Sequence, residues 1–142
     1  LPHLYKVKVE GVPTGSLNVQ VENVPDLLVS PPVQFDGPGD QWSPEDLLMS
    51  SISSCLLLSF RALAKASRLE WLSVECESQG ELDKVERRVL FTKISTKVIL
   101  TIPADVSVET AERLLNKAEQ TCFITNSLTS ETHFECEVLR SE

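Results

Sequence analysis

The side chains with the widest chemical reach in this sequence are four thiols, Cys55, Cys76, Cys122 and Cys136. A thiolate can attack an electrophile, bind a soft metal or exchange with a disulfide. The four are widely spread and form no Cys-x-x-Cys. The two close pairs of a structural zinc site are missing, so no metal is expected. A chain of 142 residues with four cysteines also has no need of a disulfide framework. The thiols therefore divide into buried small hydrophobes and redox-active groups. Cys76 shares the apolar side of an alternating run with Leu72 and Val74, and Cys136 does so with Phe134 and Val138. Both read as core. Cys55 lies mid-helix in an uncharged, Ser-rich setting that suits either role. Cys122 lies at a break in a helical pattern, at a helix N-terminus, where the dipole and free N–H groups favour a thiolate. Position thus sets Cys55 and Cys122 apart from the other two without putting them in contact. His3 and His133, the only histidines, take no assigned role.

The element that carries Cys55 has a clear start. Ser43 is a good N-cap, Pro44 fits the first helical position, and Glu45 and Asp46 suit the positive helix end. Asp46, three residues after Ser43, mimics a capping box. Leu47, Leu48, Ile52, Cys55, Leu56, Phe60, Leu63 and Ala64 follow. Between Leu47 and Phe60 there is no charge, only apolar residues and serines, so this helix should be buried on most sides. Glu45 by itself reads as a carboxylate satisfying the helix dipole.

Around this helix the pattern is β. Val7 and Val9 alternate with Lys6, Lys8 and Glu10, and Leu17, Val19 and Val21 with Asn18, Gln20 and Glu22. They predict half-buried strands joined by a turn at Val12–Gly15. Residues 25–43 hold Pro25, Pro31, Pro32 and Pro38 with Gly37 and Gly39, and read as a long connection. Trp71–Glu77 is a strand, Gly80–Lys84 a turn, and Val89–Ile102 one long strand or two. Ser107 or Asp105 opens a second helix through Val108, Ala111, Leu114, Leu115 and Ala118. Thr121 caps a further short helix at Cys122, and His133–Leu139 closes the chain as a strand. The order is β-β-loop-α-β-β-α-α-β, an α+β class with adjacent, antiparallel strands. The length fits one domain, 1–142.

The formal net charge is −8. That disfavours nucleic acid and anionic membranes, both of which demand clustered Lys and Arg. No run approaches 18 consecutive apolar residues, so no membrane-spanning helix is expected. No charged-then-apolar leader with a cleavage site is visible, and a cytoplasmic location is the expectation.

Two motifs carry a resemblance. Ser43-Pro44-Glu45-Asp46-Leu47-Leu48-Met49-Ser50-Ser51-Ile52-Ser53-Ser54-Cys55 is similar to the signature of the OsmC/Ohr family, a Pro-Glu-x-Leu motif leading a small-residue helix to the peroxidatic Cys. Cys122-Phe123-Ile124-Thr125-Asn126-Ser127-Leu128 resembles that family's second motif, Cys-Pro-x-Ser-Asn. The order of elements fits along nearly the whole chain. The resemblance implies an OsmC-like fold, antiparallel sheets around a buried central helix in an intertwined homodimer with sites at the subunit interface. It implies a hydroperoxide substrate, most readily an organic one. Cys55 would be oxidised to a sulfenic acid, Cys122 would resolve it as a disulfide, and an external dithiol would reduce that disulfide, with no cofactor. It also makes Glu45 the active-site carboxylate. Ten residues of helix span about 15 Å, so Glu45 would serve a Cys of another chain. There are two departures. The family's peroxidases use an N-terminal Arg held by the Glu, whereas residues 1–42 contain no Arg and offer only Lys6 and Lys8. Phe123 stands where the family has Pro. The alternatives are a non-catalytic OsmC-like protein binding a small apolar ligand, and a redox sensor.

Overall fold

The computed structural model describes residues 2–142. The chain divides between Leu48 and Met49 into two compact units.

The first unit is built on a three-stranded antiparallel sheet. Its strands are β1 (Lys8–Glu10), β2 (Leu17–Gln20) and β3 (Leu27–Val29), in the order β1-β2-β3. Val9 pairs with Val19, and Val19 with Leu27. β1 is shorter than its alternation suggests and is exposed rather than half-buried. The long connection expected over 25–43 is more ordered than its prolines imply. It contains β3, a 3-10 turn at Val33–Phe35 and a bridge from Val29 to Trp42. Three residues between Pro25 and Pro31 are too few to show a period, which is why β3 escaped the pattern. Ser30 Oγ donates to Gln41 Oε1 at 2.6 Å, and Ser16 Oγ donates to the same oxygen. Gly37 is required by close approach, because a Cβ there would lie 1.7 Å from the Pro31 carbonyl oxygen.

Helix α1 (Pro44–Ala66) begins as expected. Asp46 N–H donates to Ser43 Oγ at 3.1 Å, and Ser43 N–H donates to Asp46 Oδ2 at 3.3 Å. This reciprocal pair is an Asp version of the capping box. The expectation of burial on most sides is corrected. Only the row Ile52, Leu56, Phe60, Ala64 is buried within one chain, at the i, i+4 spacing of a single helix face. Leu58, on another face, is 58% exposed. By length and composition α1 is long and apolar enough to cross a membrane. The core helix of a globular domain passes the same test, and the buried row of α1 packs into the core.

The second unit holds the sheet β4-β5-β6, with β4 (Ser73–Val85), β5 (Arg88–Ile102) and β6 (Glu131–Arg140). Two expectations fail here. Gly80–Lys84 is strand, not turn. The reversal falls at Glu86 and Arg87, whose φ values are 50° and 73°, so the two-residue loop is left-handed without Gly or Asn. Gly80 serves packing instead, because a Cβ there would meet Met49 Cε and the Phe91 ring at 2.8 Å. Secondly, β6 joins β5 in parallel, Val98 pairing with Cys136, so this pair is not antiparallel. A parallel neighbour requires a crossover. α2 (Val108–Gln120) and α3 (Phe123–Asn126) supply it. Ser107 caps α2, accepting from Thr110 N–H at 3.2 Å. The core joins Leu56, Phe60 and Ala64 of α1 to Val98, Leu100 and Ile102 of β5 and to Ala111, Leu114, Leu115 and Ala118 of α2. The class is α+β, with two sheets and few helices.

Candidate functional site

Cys122 is the residue where α2 ends and α3 begins. Thr121, expected to cap the short helix, is instead the C-cap of α2, and its hydroxyl donates to the Lys117 carbonyl at 2.9 Å. Cys122 takes the N-cap position of α3 with extended backbone. Its side chain is 1% exposed.

That burial pushes the thiol up. The Thr125 hydroxyl, the Thr125 N–H, the Cys55 thiol and the Ile124 N–H oppose it, and together they hold Cys122 below its ordinary value. Thr125 and Ile124 lie in the first turn of α3, so their N–H groups turn toward the N-cap side chain. They favour the thiolate through charge, without the geometry of a formal capping hydrogen bond. Cys55, half-buried on α1 beside Ile52 and Leu56, is the neighbouring thiol, and both are free. The structure thus brings Cys55 and Cys122 together across α1 and the α2–α3 corner.

Cys76 and Cys136 flank Val98 in one row across the sheet and pack half-buried against the core. Burial raises Cys76, the nearby Ser53 hydroxyl lowers it, and the charge of Cys122 adds to the rise. Burial also raises Cys136, aided by Glu112 and Glu135. These two thiols are thus shifted in the direction opposite to Cys122.

Periodicity missed the hydroxyls around this site. Ser53 and Ser78 share a hydrogen bond of 2.6 Å, and Ser78 and Thr96 one of 3.1 Å, beneath α1. Their only signal was the run of serines on α1. Thr125 was visible only as the third residue after Cys122.

Glu45 stands in the first turn of α1. Its Oε1 is buried without a hydrogen-bond partner. Among the described residues the ion pairs are Lys8–Glu10 at 2.7 Å and His133–Glu131 at 3.2 Å, and neither involves Glu45. Among the described residues no group of three His, Cys, Asp or Glu is placed to hold a metal ion.

Residues 37–137 match the family model described as OsmC-like protein. The uncharacterized protein YmaD of Bacillus subtilis is 26% identical over 112 residues, covering 77% of this chain and 75% of its own. An OsmC-like protein of unknown function from Vibrio cholerae superposes with a TM-score of 0.83 at 18% identity, covering 97% of this chain and 100% of its own. An organic hydroperoxide resistance protein OsmC from Legionella pneumophila gives 0.71 at 20% identity, covering 97% and 99%.

Proposed function

The chain belongs to the OsmC-like protein family, and from that premise we propose that it is a thiol-dependent peroxidase reducing organic hydroperoxides. The observation that carries the reading is the pair of free thiols at the α1 and α2–α3 junction, one of them held toward its thiolate. The Cys55 thiolate attacks the distal peroxide oxygen, the O–O bond breaks, and an alcohol leaves after taking a proton. Cys55 is then a sulfenic acid. Cys122 condenses with it to a disulfide and water, which protects Cys55 from further oxidation. An external dithiol restores both thiols in the cytoplasm. The active unit is a homodimer, in which Glu45 serves as the active-site carboxylate for the Cys of the second chain. Its unpaired carboxylate oxygen leaves an acceptor free for a cation there. The apolar and Ser-lined surroundings of Cys55 suit an organic substrate.

The test is consumption of cumene hydroperoxide with dihydrolipoamide or dithiothreitol as reductant, run beside disulfide mapping. Cys55→Ser should abolish turnover, and retention of full activity by that variant would sink the reading. A second reading has its own support. Residues 1–42 hold no Arg to activate the thiol, which favours a non-catalytic member binding a small apolar ligand, or a redox sensor. Rapid turnover with a Cys55–Cys122 disulfide excludes the former. Fast thiol exchange without peroxide consumption marks the latter.

A further inference from the structure

Cys122 is enclosed, yet a thiol that closes a disulfide must lose its proton. A cavity of about 10 Å³ lies against it, and its lining includes Thr96, Glu119, Thr125 and Thr132. Such a volume holds about one water. The titratable groups that face Cys122 come from four elements: Cys55 of α1, Cys76 of β4, Glu119 of α2 and His133 of β6. Cys55 is the reaction partner. Burial pushes the Cys76 thiol up. His133 turns its Nε2 to Glu131 at 3.2 Å. Glu119 is left. It is half-buried and lines the cavity. It takes part in no ion pair among the described residues. Its main-chain oxygen accepts from Cys122 N–H at 3.3 Å, which fixes it one turn before the thiol.

We infer that Glu119 accepts the Cys122 proton, through one water in this cavity, as Cys122 closes the disulfide. The inference rests on Cys122 being the resolving thiol. The balance is complete without a further reagent. The S–H bond of Cys122 breaks and its proton passes to Glu119. The sulfur–sulfur bond forms, the S–O bond of the Cys55 sulfenic acid breaks, and the departing hydroxide takes up the proton that Glu119 gives back through solvent, leaving as water and restoring the carboxylate. Glu119 touches neither sulfur and is a positioning residue for the proton.

The test is single-turnover kinetics with cumene hydroperoxide on the full chain and on Glu119→Gln. Sulfenic acid formation should be unchanged. The disulfide step should slow by about tenfold near neutral pH, less than the 10²–10⁴ usual for general acid–base catalysis because this thiol is already disposed to ionise. The two proteins should converge as the pH rises past the Cys122 titration, where no acceptor is needed. A purely structural loss would slow the step equally at every pH. Glu119→Asp, which keeps the carboxylate, should recover part of the rate, and His133→Asn should change nothing. Equal disulfide rates in wild type and Glu119→Gln across the pH range overturn the inference and leave the peroxidase reading intact. If the wild type forms no sulfenic acid, the peroxidase reading falls. Exchange of Cys122 with dithiodipyridine in a Cys55→Ser background then decides the matter. A slower reaction in Glu119→Gln near neutral pH supports the proton route, and equal rates overturn it.

Discussion

At Thr125 one hydroxyl leads the groups that hold Cys122 toward its thiolate. Burial favours the thiol, and the Thr125 hydroxyl is the foremost of the groups opposing it. Thr125→Val keeps the shape and removes the donor, so the thiolate loses support and the Cys122 titration moves to higher pH. The pH dependence of thiolate absorbance in the two proteins measures this, and an unchanged profile refutes it. The same argument orders the other thiols. Cys76 and Cys136 are raised, largely by burial, so in pH-resolved labelling both should ionise above Cys122. For stability the sign runs the same way. A pKa depressed by folding adds stability above the unfolded thiol value, and that contribution is lost as pH falls through the folded one. Cys122→Ser, on the proposed mechanism, still forms the Cys55 sulfenic acid but lets it proceed to sulfinic acid, a mass increase visible after excess peroxide. Helix position alone marked Cys122 as standing where a thiolate is favoured. Ser53 stayed illegible because its partner Ser78 is brought to it by folding.

Elements show where local signals suffice and where they mislead. The Ser43 start of α1 was readable because capping is decided within four residues. Ser43→Ala removes one side of the reciprocal pair and should cost about 1 kcal/mol, measured by urea denaturation. The β4–β5 turn was misread because the obvious signals, Gly80 and Asp83, sit in strand, while Glu86 and Arg87 take left-handed φ without the residues that favour it. Left-handed backbone costs a non-Gly residue about 1–2 kcal/mol. The double substitution Glu86→Asn with Arg87→Gly should therefore raise stability by about 1 kcal/mol, and a lowered denaturation midpoint would refute that. Alternation identified β6 as a strand but not its direction, because a period of two is the same in parallel and antiparallel pairing.

For the molecule as a whole, the exposed apolar surface sets the next prediction. Leu4 and Tyr5 are more than nine-tenths exposed, and Val9, Leu28 and Phe35 of the first unit and Leu58 of α1 are more than half exposed. The homodimer proposed above would cover such exposed apolar side chains. Sedimentation at micromolar concentration should show a dimer, and Leu58→Glu should weaken it at least tenfold. A wild-type monomer under those conditions would refute the assembly. The sequence by itself determined the class, the start of the central helix, the amphipathic second helix and the two thiols worth watching, because each depends on residues close together along the chain. Only the tertiary structure decided that Cys55 and Cys122 are neighbours and that the last strand runs parallel. Those facts depend on residues far apart in sequence, which the packing of α1 and the α2–α3 crossover against β4-β5-β6 brings to one place.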